Sequence, residues 1–495
     1  MLNFVIWTPL LGALLLLTIP QKQNLWIKRI ALMTVSLTFL FSLHLVCYFK
    51  SSSGYQFEIF RPWIPAIGAY YALGVDGFSL WLVLLATLLM PIAVLFSMGS
   101  IKEKEKSFYF NLLILETAML GTLCALDVFL FYLFWEAMLI PMYFLIGIFG
   151  HGRKVYAAIK FFIFTLIGSV LMLLAIVYLR QEAEGSFLLD HWSLLALSPQ
   201  VQGVLFAAFA LAFAIKVPLF PLHTWLPDAH TEAPTAGSMI LAGVLLKMGT
   251  YGFVRFAIPL FPDALLVAKP WIATLAVVGI VYGALVAMVQ KDMKRLVAYS
   301  SISHLGFVML GLMALTPQAV TGATYQMVNH GLTSAGLFLM VGMLYDRTHT
   351  RLIADYGGIA KQVPLYTFVF LILTFASIAL PGTNSFVGEF LILSGSLKEL
   401  PYQTILATLG VIFGAVYMLW MVERVFFGPL KKDSLKGLKD MNWREVLCVL
   451  PIILLVVWMG VKPNFFLSKI EIATQTLTET VQQNQLAKQS LKLQK

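Results

Sequence analysis

The chain has 495 residues, of which 60% are hydrophobic and only 12% charged. Soluble domains carry about a quarter charged residues, so this composition excludes an ordinary soluble protein. The net charge of +10 does not signal a nucleic-acid surface, because the basic excess sits in short connections between apolar stretches, where it sets topology.

Apolar stretches of about 20 residues, the length a bilayer core demands, recur along the whole chain. The first, MLNFVIWTPLLGALLLLTIP, lacks the basic start and small-residue cleavage site of a leader and reads as a span near 3–20. Spans follow near 28–49, 77–99, 108–126, 127–149 and 157–179. The seventh, 201–222, contains Pro218 and Pro221. After 235–258, 270–289, 295–315 and 320–345 comes a second interrupted span, 363–395, with Pro381 inside; 402–427 and 444–461 complete fourteen. The alternation of a membrane barrel is absent, so the predicted fold is an all-α polytopic bundle.

Basic residues collect in alternate connections, including Lys102, Lys104 and Lys106, then Arg153 and Lys154, then Lys291, Lys294 and Arg295, then Lys431, Lys432, Lys436 and Lys439. The positive-inside rule places that face inside and both termini outside. The layout divides into an N-terminal three-helix segment (1–107), two five-helix groups (108–258 and 259–427) and a last span with a polar tail (428–495). Each group has a proline-broken span fourth, AFAIKVPLFPLHTWLPDAH and ASIALPGTNSFVGEFLIL. An odd number of spans per group turns the second copy upside down, and inverted repeats with matching broken helices mark transporter architecture with a midplane site. The first group is expected to take protons in and the second to release them.

A charge at the centre of an apolar helix costs about 2.5–3.5 kcal/mol on insertion scales, so each one needs a reason. Glu116 and Glu136 lie mid-span in the fourth and fifth spans, Lys216 just before the first break, and Lys247 in the middle of the eighth. His304 and His330 occupy the tenth and eleventh, and Glu389 follows the second break. All are groups that exchange a proton once burial and neighbours adjust them. Arginine, which does not, is absent from the row. Taken singly, each has a bland account as an ion pair or hydrogen-bonded glue; taken together they favour a proton path.

Other polar groups rank lower. Lys160 is expected to snorkel beside Arg153 and Lys154, and Asp127 to lie at the outer surface. His223, Asp228, His230 and Glu232 follow the first break and read as feeding or capping the path, since no HExxH or Cys partner supports zinc. Cys47, Cys124 and Cys448 are far apart, which argues against an iron–sulfur centre, and neither a GxGxxG fingerprint nor a Walker A loop is present.

The stretches FYLFWEAMLIPMYFLIGIFG, AFAIKVPLFPLHTWLPDAHTEAPTAGSMILAGVLLKMGTYG, KDMKRLVAYSSISHLGFVMLG and LPGTNSFVGEFLIL resemble the antiporter-like, proton-pumping subunits of respiratory complex I. The resemblance covers nearly all the spans and is loosest in 1–76 and after 461. It implies a place in the membrane arm of an NADH:quinone oxidoreductase, among other antiporter-like subunits and lipid and without nucleic acid. NADH, FMN, iron–sulfur clusters and quinone would belong to partner subunits, with no cofactor or metal here. It also implies that Glu136, Lys216, Lys247, His304, His330 and Glu389 match the family's proton-carrying positions, with Glu116 a further acidic one. A bacterial plasma membrane is the expected location, with a mitochondrial inner or thylakoid membrane next. The alternatives are a subunit of a multisubunit cation/proton antiporter or of a ferredoxin-linked photosynthetic complex.

Overall fold

The computed structural model describes residues 1–493, with side chains to residue 483. Among the described residues, twelve helices are long and apolar enough to cross a membrane unaided. Leu2–Thr18 and the interrupted pair Pro364–Ser377 and Asn384–Ser396 fill the two remaining expected positions, so the fourteen spans occur in the expected order.

The helix starts follow from local chemistry. Proline opens Pro199–Lys216, Pro262–Met288, Pro317–Thr348, Pro364–Ser377 and Pro401–Phe426, at the position where a missing N–H costs nothing. Asp292 caps the tenth span by accepting from the Lys294 and Arg295 amides at 2.7 and 3.1 Å. Asn442 and Glu445 exchange reciprocal caps at the start of the last span, at 3.1 and 3.0 Å.

Enclosure is uneven, and it decides where charge can be held off lipid. In the eighth and eleventh spans, Thr235–Leu260 and Pro317–Thr348, the whole apolar window is buried; in the tenth, Met293–Ala314, 94% is. Those three carry Lys247, His330 and His304. The second and fourteenth spans, each 33% buried, present apolar side chains outward.

Both expected breaks are present. The seventh span stops at Lys216 and resumes as Trp225–Glu232. Pro218 cannot donate to the Ala214 carbonyl, which accepts from Leu219 N instead at 2.8 Å, and the Trp225 indole donates to the Ile215 carbonyl at 2.9 Å. Freed backbone groups at membrane depth are thus taken up by protein. In the twelfth span the chain turns through Gly382, whose φ of +92° lies in the region glycine tolerates best.

Two features were not expected. An antiparallel hairpin, β1 (Gln56–Ile64) and β2 (Ala69–Val75), fills the second connection, with Tyr71 opposite Arg61. Inside the eighth span, the segments Leu241–Leu245 and Phe253–Ala257 widen to π-helix on either side of Leu246–Gly252. The polar tail forms a helix, Glu471–Leu493.

Two side chains sit differently from expectation, each because a buried polar group had to be paired. Asp127 is fully buried rather than at the surface: it caps the fifth span through Leu130 N and also accepts from Tyr70 N, both at 2.9 Å. Lys160 does not snorkel; it bonds the buried Asp228 at 2.7 Å. Arg255, inside the eighth span, has both terminal guanidinium nitrogens 2.8 Å from Asp76 and lies over the Tyr251 ring. This pair ties the hairpin's exit to the eighth span. Asp76→Ala should strand a buried guanidinium at a cost of about 3–5 kcal/mol and show as a lowered melting temperature and poor accumulation in the membrane. Normal accumulation with an unchanged melting temperature would count against it.

Candidate functional site

Lys216 is the last residue before the first break, where the helix ends and its side chain turns inward; it is 1% exposed. Its Nζ lies 5.4 Å from the ring centroids of both Trp135 and Phe161, an aromatic cage that suits a desolvated cation. Glu136, next to Trp135 in the fifth span, is close enough for its charge to act on Lys216. The two do not bond: Lys216 Nζ and the buried Glu136 Oε1 both lack a hydrogen-bond partner among the described residues. The expected pair is therefore adjacent but open. Tyr132, one turn before Glu136, lies beside the same carboxylate.

The eighth span packs directly on the break. A Cβ at Gly249 would fall 2.7 Å from Phe213 O and from Val217 N, so only glycine lets the two backbones meet, one residue past Lys216 and two past Lys247. Lys247 nevertheless points the other way. Its Nζ lies 2.7 Å from His330 Nδ1 and donates to the Ala242 carbonyl in the widened turn. Such π-helical turns often mark functional sites, and here one supplies the carbonyl that holds the ammonium. Two facing nitrogens at this distance hold one proton between them, on either the lysine or the imidazole.

From His330 the row continues. The His304 ring lies 5.6 Å from the His330 ring, centroid to centroid, and His304 Nδ1 is 3.0 Å from Glu389 Oε1. His304 Nε2 and His330 Nε2 are buried without hydrogen-bond partners among the described residues. Both rings line a small polar cavity with Ser300, Thr333, Ser334 and Ser377, of about 10 Å³. That is room for about one water, enough to bridge two imidazoles.

Lys247, His330, His304 and Glu389 are thus brought together, while Glu136 and Lys216 form a second group with no direct bond to the first. Glu116 stands apart from both: it is fully buried, and neither carboxylate oxygen has a partner among the described residues.

Sequence reading missed the amides that hold Glu389. Gln326 Nε2 donates to its Oε1 at 3.0 Å, and Asn329 in turn donates to Gln326 at 3.1 Å and to the Asn384 carbonyl at 2.9 Å. A signal was available: in YQMVNH, Gln326 lies three and four residues before Asn329 and His330, which puts all three on one helix face.

Comparison with known proteins places this architecture. The family described as NADH:quinone oxidoreductase/Mrp antiporter, transmembrane, matches residues 125–456. The chain is 43% identical over 480 residues to NADH-ubiquinone oxidoreductase chain 4 of Marchantia polymorpha, covering 97% of each chain. It is 44% identical over 481 residues to NADH-quinone oxidoreductase subunit M of Rhodobacter capsulatus, covering 94% of this chain and 93% of the relative. A chain of respiratory complex I from Thermus thermophilus superposes with a TM-score of 0.90 at 35% identity, covering 97% of this chain and all of that one.

Proposed function

Because the chain belongs to the NADH:quinone oxidoreductase/Mrp antiporter transmembrane family, we propose that it is a proton-translocating subunit of the membrane arm of an NADH:quinone oxidoreductase. Other antiporter-like subunits flank it, and electron transfer to quinone on partner subunits supplies the energy. FMN, iron–sulfur clusters, NADH and quinone are assigned to those partners, and no redox step to this chain. The basic face is taken as the inner side of a bacterial plasma membrane, or of the corresponding organellar membrane.

The observation that carries this reading is the row Lys247, His330, His304 and Glu389, with contacts of 2.7 Å from Lys247 to His330 and 3.0 Å from His304 to Glu389, and the two imidazoles 5.6 Å apart at a water-sized cavity. Buried ionisable groups are expensive, and a row of them in contact makes a relay. The two five-helix groups act as input and output halves. When Glu136 approaches Lys216, opposite charge holds a proton on the ammonium; when they separate, the proton moves on toward Lys247. His330 and His304 then carry it to Glu389.

The magnitudes suffice. Moving one charge against the membrane potential costs about 2.3 kcal/mol per 100 mV. A hundredfold change in proton affinity at one site is worth about 2.7 kcal/mol, which a modest movement of one ion pair supplies.

His330→Leu tests the relay at its centre. Leucine fills the ring's space but carries no proton, so the reconstituted complex should assemble while proton-coupled quinone reduction falls by about tenfold or more. Electron transfer from NADH to a soluble acceptor should be unchanged. Wild-type pumping in this variant would remove the reading.

A further inference from the structure

The second break lies against a short run of amides that carry no proton themselves. Asn384 is the first residue of the helix that resumes after the break, Asn384–Ser396, and Glu389 lies on that helix. Asn329 and Gln326 face it from the eleventh span, and all three amide side chains are buried. The Asn384 carbonyl accepts from Asn329 Nδ2 at 2.9 Å, Asn329 Nδ2 also donates to Gln326 Oε1 at 3.1 Å, and Gln326 Nε2 donates to Glu389 Oε1 at 3.0 Å.

The direction of this ladder is dictated from one end. A backbone carbonyl only accepts, so the Asn329 atom against Asn384 must be its nitrogen. That nitrogen requires an acceptor at Gln326, which turns the Gln326 nitrogen toward Glu389. One carbonyl at the break thus decides that Glu389 meets a donor, and a donor favours the ionised carboxylate. The same Glu389 Oε1 is 3.0 Å from His304 Nδ1, so the ladder holds the oxygen that takes the next proton. Tyr417 faces the same carboxylate from the thirteenth span.

Packing alone does not account for the arrangement. A Cβ at Gly388 would overlap Gln326 Oε1 and fall 2.8 Å from Asn329 Nδ2, so the residue before Glu389 leaves open the space that the amides occupy. Two acceptors are left over: Asn329 Oδ1 and Asn384 Oδ1 are buried without hydrogen-bond partners among the described residues. Idle buried acceptors are costly, and an apolar side chain of the same size would avoid them. The idle Asn329 Oδ1 is what a ladder running the other way requires, because a turned Gln326 presents its nitrogen to Asn329. Pro381 and Gly382, the latter with its φ of +92°, stand just before Asn384 and give the half-helix a hinge.

We propose that Gln326 and Asn329 are positioning residues for Glu389, forming with the Asn384 carbonyl an amide ladder that reverses when the second half of the twelfth span moves about its break. With the ladder set as here, Glu389 is held as the empty acceptor beside His304. When the Asn384 carbonyl withdraws, Asn329 and Gln326 turn over and bring Gln326 Oε1 against Glu389, where it accepts from the protonated carboxyl. Return of the carbonyl restores the donor and favours loss of the proton. Glu389 gains one proton from His304 and gives up one outward; the amides gain and lose none. Movement of one half-helix is thereby converted into uptake and release at one carboxylate. The ladder deepens the proton-translocating reading above and rests on it.

The test uses the whole complex in proteoliposomes and two variants. Gln326→Met keeps the length of the side chain and removes the amide, and Asn329→Leu keeps its bulk and leaves Gln326 without a fixed direction. Losing a donor to the carboxylate makes Glu389 hold its proton more tightly, so both variants should assemble and lose about tenfold in coupled turnover at neutral pH. Raising the pH on the releasing side by about one unit offsets a tenfold gain in proton affinity and should restore most of that loss. Amides that only pack helices together give no such recovery. Failure of both complexes to assemble, or a loss equal at every pH, would overturn the ladder. So would wild-type turnover in both variants beside a defective His330→Leu, a result that leaves the row standing. Wild-type turnover in all three would overturn the row as well.

Discussion

Glu136→Gln leaves the complex assembled and lowers its coupled turnover by about tenfold or more. Glutamine has the same shape, so packing beside Tyr132 and Trp135 is kept, and the carboxylate is half-buried and unbonded at Oε1, so no structural ion pair is broken. What disappears is the countercharge of Lys216. The ammonium is then left to the Trp135 and Phe161 rings at 5.4 Å, whose attraction is fixed and does not vary with the movement of another helix. A pair that sits adjacent but open is suited to be a switch, because its energy changes steeply with a small approach in low dielectric. Turnover and pumping close to wild type in this variant would mean that the pair does not gate the path.

Lys247 gives the second large effect. Both Lys247→Met and Lys247→Arg should lose about tenfold to a hundredfold in proton-coupled turnover. Methionine matches the length of the stem and fills its space, but it removes the nitrogen that faces His330 Nδ1 at 2.7 Å. Arginine restores charge and donors, including the bond to the Ala242 carbonyl, yet it does not part with a proton. The two variants separate relay from electrostatics: a positive charge that only shaped the local field would let arginine restore activity, whereas a proton carrier would not. Near-normal turnover in Lys247→Arg would assign the lysine a field effect.

Much of this was legible in the sequence, for identifiable reasons. Bilayer thickness imposes a length that hydropathy reveals directly, and Pro218 and Pro381 announce the breaks because proline removes a helix bond wherever it stands. Ionisable residues stand out against an apolar background, so Glu136, Lys216, Lys247, His304, His330 and Glu389 were nameable without coordinates. Less visible was whatever depends on partners distant in sequence. The Arg255–Asp76 pair was hidden because its partners are 179 positions apart, and Lys160 looked like a snorkelling side chain because Asp228 is 68 positions away. The hairpin at 56–75 was obscured by Pro62 and by tyrosines that read equally well as loop. The π-helical turns around Lys247 leave no compositional trace at all.

Pumping requires the Glu136–Lys216 group and the Lys247–Glu389 group to form one path, although no side-chain bond joins them here. A map of the intact complex detailed enough to show ordered water tests this most directly. Waters are expected within hydrogen-bond reach of Lys216 Nζ, continuing to Lys247 Nζ, with a further water between His330 and His304. A dry gap packed with apolar side chains between the two lysines, in every state along the turnover cycle, would contradict it.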